Sequence, residues 1–423
     1  MQQFIHKLRI IFTDSAIRTR VLFVLGAIAV FRALAAIPLP GVNRQVLEQF
    51  FQNNQFLGFL NIFSGGGLSN LSIALLGVGP FITASIIMQL MTVMSPKLKA
   101  LYTEEGETGR QKFTQISRML TLPLAILQGF GFLTLLQNQG VLTGLTTFEF
   151  VTNIVVVTAG ALLLMWIGEL VTEYGIGNGV SIIIFAGIVA SLPATASQLL
   201  FTFDQSQLPI YLGFLAAALL VIYAVVVMTQ AERQVPITYA KTVRGGKTYG
   251  GTTSYLPLRI NQSGVIPIIF ALSMLLFPQM VFNVLSTFDI SGIEGVSAAV
   301  LGFLSNTVYY GILYFILVFA FTFFYTAVTF DPDSISQNLQ RSGAFIPGIR
   351  PGEHTSEYLG KLITRLTLVG ALFLGAVAVL PIGMQILTGV STLAIGGTAL
   401  LIAVSVIIDL VRRIDSQVSL REY

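Results

Sequence analysis

Two glycine-rich strings are the first places where this sequence could do chemistry. RGGKT at 244–248 has the tail of a phosphate-cradling loop, in which backbone N–H groups and a lysine hold a nucleotide's phosphates. That loop, G-x-x-x-x-G-K-[ST], needs glycine at 241, and the residue there is Lys241. GIGNG at 175–179 begins like a dinucleotide-binding turn, but position 180 is Val180, and the string joins two apolar stretches. Its glycines make a tight turn instead. No H-E-x-x-H string occurs, and cysteine is absent, which removes disulfides and thiolate metal sites. The two histidines, His6 and His354, lie outside the apolar stretches and are assigned no role. No catalytic residue, metal or cofactor is expected.

The acidic residues close to the apolar stretches are few: Glu149, Glu169 and Asp409. An ion-coupled transporter places ionisable side chains at mid-membrane to take up and release its ion. Here those positions are almost wholly neutral. An inverted-repeat secondary transporter, suggested by interrupted helices and small-residue packing, is the alternative reading, and the charged cluster it needs is missing. An intramembrane protease lacks a nucleophile–base pair. What remains is a passive conduit whose driving force comes from outside.

The elements that must build it are membrane helices. Of 423 residues, 54% are hydrophobic and 10% charged, where a soluble globular chain carries about 25% charged. Apolar runs near 21–39, 72–94, 118–137, 151–172, 180–203, 209–229, 263–284, 307–329, 364–382 and 390–411 reach or approach the roughly 20 residues that cross a bilayer. They are too long for barrel strands. The expected class is therefore an all-α polytopic membrane protein with about ten transmembrane helices. The N-terminus imitates a cleavable signal, with Lys7, Arg9, Arg18 and Arg20 before VLFVLGAIAV, but the apolar run continues through Leu39 and is read as a retained span. Before it, Phe4, Ile5, Leu8, Ile11 and Phe12 recur at helical spacing, so residues 1–20 read as an amphipathic segment on the cytoplasmic surface.

Lysine and arginine fall in alternate loops. The N-terminus holds four, 95–118 five, 231–262 five, 331–365 four and the C-terminus three, whereas the intervening loops hold only Arg44. By the positive-inside rule both termini and the large loops are cytoplasmic, and an even span count follows. Within 231–262, β-rich runs flank Arg244-Gly245-Gly246 and predict a protruding hairpin bearing five cations against one acid, Glu232. In the second large loop, GAFIPGIRPGEHT rigidifies a turn around Arg350. Two readings stay open: charge that only fixes topology, or a docking platform for a large anionic partner.

One apolar run is broken. NIFSGGGLSNLSIALLGVGP at 61–80 carries Gly65, Gly66 and Gly67 in succession, each costing a helix about 1 kcal/mol relative to alanine. With SIALLGVGPFITASIIMQLM (72–91), the stretches EYGIGNGVSIIIFAGIVASLP (173–193), LPLRINQSGVIPIIFA (256–271) and GAFIPGIRPGEHTSEYLGKLITRLTLVGA (343–371) make the chain resemble the SecY family, the central subunit of the bacterial protein-conducting channel. The resemblance runs from about residue 20 to the end of the last span.

It implies two pseudo-symmetric halves, 21–205 with helices 1–5 and 206–411 with helices 6–10, around an hourglass pore. The second half carries cytoplasmic loops 231–262 and 331–362, and 412–423 is a cytoplasmic tail. The segment at about 57–70, through Phe63, Ser64, Gly65, Gly66, Gly67 and Leu68, is implied to fold back as a short broken helix and plug the pore. Irregular backbone at that depth is tolerable where it is buried in protein. The implied pore ring is Val78, Ile82, Val180, Ile184, Ile269 and Ile402. An ion in such an aliphatic collar sheds water without replacement ligands, at a nominal cost on the order of tens of kcal/mol. Aliphatic constrictions also dewet. Thr83, Ser85 and Gln89 on the second span and Asn261, Gln262 and Ser263 at the seventh are the implied lateral gate, a polar seam through which apolar segments leave for lipid. The resemblance further implies SecE and SecG as partner subunits and Arg350 as a docking residue, which Arg244 and Lys247 on the basic hairpin join in the docking-platform reading. The partners docking there are the SecA ATPase motor and the ribosome. Signal peptides, translocating chains and membrane lipids complete the expected contacts, and the expected location is the bacterial inner membrane.

Overall fold

The structure is a computed structural model in which residues 13–40, 64, 67–68, 70–103, 105–138, 140–142, 144–201, 208–239, 242–244, 247–249, 253–285, 293–388 and 391–419 are described. Among them, the chain order begins α1 (Ser15–Ala36), α2 (Gly79–Met94), α3 (Pro96–Thr103), α4 (Gly106–Asn138), α5 (Thr147–Tyr174), α6 (Gly179–Phe201) and α7 (Leu208–Gln230). Four strands follow: β1 (Glu232–Tyr239), β2 (Thr242–Arg244), β3 (Lys247–Tyr249) and β4 (Thr253–Arg259). The rest is α8 (Ile266–Leu285), α9 (Ile293–Ser305), α10 (Thr307–Thr329), α11 (Pro332–Arg341), β5 (Ala344–Phe345), α12 (Glu353–Thr388) and α13 (Ser391–Ser419).

Each of the ten apolar runs coincides with one of these helices. By length and composition, α1, α4, α5, α10 and α12 can each cross a membrane, and α2 with α3 forms a further pair bent by 117°. The bend falls where Ser95 leaves the helical region just before Pro96, whose ring disfavours helix in the residue ahead of it. The second run departs from its expected start at 72. Its helix begins only at Gly79, with Pro80 in the first turn, because 71–78 is a chain of tight turns. The helices α3, α9 and α11 were not anticipated.

The chain divides into two compact units, one of Met1–Phe214, Leu272–Tyr310 and Pro381–Tyr423, the other of Leu215–Ala271 and Gly311–Leu380. In the first, α4 packs against α2, α3 and α5, and α6 packs against α5 and α13. Asp14 caps α1 by accepting from Ala16 N at 2.8 Å, and a reciprocal Thr146–Glu149 capping box opens α5. The core of this unit joins Leu68, Leu71 and Leu75 to Phe132, Leu136 and Val157.

In the second unit the expected hairpin is present: β1 pairs antiparallel with β4, from Glu232↔Arg259 to Thr238↔Thr253, and β2 pairs with β3 through Arg244↔Lys247. The sheet has a third strand, β5, drawn from the second large loop and paired with β1 at Thr238↔Phe345 and Tyr239↔Ala344. Val235, Leu258, Ile346, Leu359 and Ile363 form a shared core under it. The two cytoplasmic loops of the sequence reading are thus one small folded body.

Candidate functional site

The site grows from the broken run. Of the implied plug residues, Ser64, Gly67 and Leu68 are described and buried, while Phe63, Gly65 and Gly66 lie outside the described residues. Small polar side chains replace helix hydrogen bonds here. Ser64 Oγ accepts from Leu68 N at 3.0 Å, and Ser72 Oγ donates to Gly67 O at 3.0 Å. A β-carbon at Gly67 would lie 2.7 Å from Ala74 O, so only glycine allows the chain to double back this closely. Among the described residues the segment is a run of turns rather than a helix.

Its root is tied to the end of α1. Leu39 N donates to Leu71 O at 2.8 Å and Ile73 N to Ile37 O at 3.0 Å, a bridge of Pro38 with Ser72, and Asn70 Nδ2 reaches Ala35 O at 3.4 Å. Leu71 takes a φ of 41°, a left-handed conformation that costs a non-glycine residue about 1 kcal/mol. Burial of its side chain among the leucines of the core offsets that cost.

The turns lead directly into the candidate ring. Val78 stands at the N-cap of α2 and Ile82 one turn on, joined by Ile82 N to Val78 O at 3.1 Å. Val180 and Ile184 occupy the first turns of α6, and Ile402 lies within α13. These five belong to the first unit; Ile269, on the first turn of α8, belongs to the second. All six are aliphatic, and all but the half-buried Val180 are buried. The corner before α6 is fixed by Thr172 Oγ1, which donates to Gly168 O at 2.8 Å and accepts from Gly179 N at 2.9 Å.

Of the candidate gate residues, Thr83 meets a partner across helices: Gln128 Nε2 on α4 donates to Thr83 Oγ1 at 3.4 Å. Both line a small cavity with Gly79, Ser273, Phe277 and Met280, within the first unit. Gln128 and Ser273 were missed in the sequence reading, because one polar residue in an apolar run carries no periodic signal. Ser85 and Gln89 are half-buried on α2, and the Gln89 Oε1 has no hydrogen-bond partner. Ser263 Oγ donates to Asn261 Oδ1 and Asn261 Nδ2 donates to the Gly264 carbonyl, forming the buried turn before α8 in the second unit. Gln262 is half-buried in that turn.

Of the docking candidates, Arg244 and Lys247 close the β2–β3 ribbon by backbone pairing. Arg350 is exposed on the turn between β5 and α12. Arg244 and Lys247 thus lie on a two-stranded ribbon separate from the three-stranded sheet β4-β1-β5, whose third strand leads into the Arg350 turn.

With this geometry in hand, the family described as SecY matches residues 72–411. The protein translocase subunit SecY of Mycobacterium bovis is 42% identical over 96% of this chain and 96% of its own. Two solved structures share the fold. One describes the plug domain of a SecY protein stabilising the closed state of the translocation channel and maintaining a membrane seal, with a TM-score of 0.67, 18% identity, and coverage of 96% and 93% of the two chains. The other is Sec61 in a canine ribosome–channel complex, with a TM-score of 0.62, 16% identity and the same coverage. By its own residues and by these matches, the chain belongs to the SecY family.

Proposed function

We propose that the protein is the channel subunit of a bacterial protein translocase, passing unfolded secretory chains across the inner membrane and releasing apolar segments sideways into lipid. Val78, Ile82, Val180, Ile184, Ile269 and Ile402 form its constriction, and the segment from about 57 to 70 is its plug. Both termini face the cytoplasm, and residues 21–205 and 206–411 are its two halves. Thr83, Ser85, Gln89, Asn261 and Ser263 belong to the lateral gate, with Gln128 and Ser273 added from the cavity. SecE braces it across the hinge, SecG sits peripherally, and the SecA motor or a ribosome, docked over Arg244, Lys247 and Arg350, supplies the push.

The observation that carries the reading is the continuity from Asn70 to Ile82: a run of turns, tied to the end of α1, leads straight into the start of α2, where Val78 and Ile82 are buried aliphatic positions one turn apart. A seal of that kind suits a polypeptide conduit, because aliphatic side chains deform around any sequence and offer an ion no ligand. The experiment is reconstitution of the protein with its small subunits in liposomes, with the motor, ATP and a preprotein outside. Protease-protected preprotein inside the vesicles is expected; none, with the motor active and the protein inserted, would sink the reading.

A further inference from the structure

The Arg350 turn is held by a residue from another helix. Ser336, on α11 and 3% exposed, donates from Oγ to the carbonyl of Gly352 at 2.6 Å. That carbonyl also accepts from Thr355 N at 3.0 Å and Ser356 N at 3.1 Å as α12 begins. Thr355, 2% exposed, donates from Oγ1 to the carbonyl of Arg350 itself at 2.8 Å. A third tie joins Ser356 Oγ to Asp333 of α11. On the other side of the turn, Ile349 N donates to Ile346 O at 3.1 Å, and Ile346 is rooted in the core beneath the sheet.

Pro351 already restricts Arg350 to extended backbone, and Gly352 takes the left-handed φ of 95° that redirects the chain into α12. The result is an arginine whose backbone is pinned on both sides while its side chain stays in solvent. A tethered guanidinium loses little freedom when it meets a phosphate, which it can clasp through two parallel hydrogen bonds. Two buried hydroxyls each donate to a carbonyl of this turn, Gly352 and Arg350, and so fix its backbone on both sides of Pro351.

We propose that Ser336 and Thr355 are positioning residues for RNA docking: they present Arg350, pre-ordered, to a phosphate of ribosomal RNA. This rests on the reading of Arg350 as a docking residue. The structural contact is indirect for both hydroxyls, since neither is exposed.

The test is binding of purified, non-translating bacterial ribosomes to the full complex in liposomes, measured across a salt titration. Arg350→Ala is expected to weaken binding and to lower the slope of log affinity against log salt by about one, the signature of one lost phosphate contact. Ser336→Ala is expected to weaken binding about threefold, the size of one net hydrogen bond, with Ser336→Thr restoring most of it. In the Arg350→Ala background, Ser336→Ala is expected to add nothing. Thermal unfolding of each variant separates this from general damage. If Ser336→Ala weakens binding equally with or without Arg350, its role is independent of the arginine and the positioning proposal is overturned. If Arg350→Ala leaves affinity and slope unchanged, the docking reading itself falls, and the positioning proposal with it.

Discussion

The carbonyl oxygen of Ile73 lies 2.1 Å from the point where a β-carbon on Gly160 would stand. The root of the candidate plug therefore rests directly on the backbone of α5, with no side chain between. Gly160→Ala must push the two apart, an overpacking that costs about 1–3 kcal/mol. Expected are a lower unfolding temperature of the purified complex and a higher resting ion conductance in planar bilayers. Wild-type values for both would show that the contact neither supports the fold nor holds the seal.

Deleting residues 60–68 removes Ser64, Gly67 and Leu68 but leaves the bridge from Ile37 and Leu39 to Leu71 and Ile73. The channel is expected to insert and still pass preproteins while leaking ions at rest. Single-channel recording decides it: conductance indistinguishable from the intact protein would count against a plug.

The Gln128–Thr83 hydrogen bond joins α4 to α2 inside an otherwise apolar packing. Bonds of this kind between membrane helices contribute about 0.6 kcal/mol on average. Gln128→Leu is therefore expected to loosen the α2–α4 pair by about that amount, read as a small fall in the unfolding temperature of the purified complex. An unchanged unfolding temperature would show that the bond adds nothing to the packing of α2 on α4.

Much of this was legible in the sequence because bilayer thickness imposes a run length, and every run found its helix. The hairpin was legible too, since β-rich alternation around Gly245-Gly246 is a local signal. What escaped was non-local or too short to have a period. β5 is a two-residue strand that finds β1 from about a hundred residues away, and Ser336 reaches Gly352 from a separate helix. The late start of α2 at Gly79 escaped as well. The apolar content of 72–78 matches a helix, but the ties of Leu71 and Ile73 to Leu39 and Ile37, the hydroxyl of Ser72 and the left-handed Gly77 hold that backbone in turns. At the candidate ring, residue type was readable but burial was not, because a membrane helix is apolar on every face. Ile184 and Ile402 are fully buried, whereas Leu220, equally apolar, is 65% exposed.

That contrast supplies the most direct measurement. Cysteines are placed singly at Ile82, Ile184, Ile269 and Ile402, with Leu220 as the outward control, and each is paired with a cysteine in a preprotein stalled midway. Crosslinks from all four aliphatic positions and none from Leu220 are expected if the uncharged ring is the passage. Crosslinks absent at the four while strong elsewhere in the chain would place the passage somewhere else and contradict the central claim.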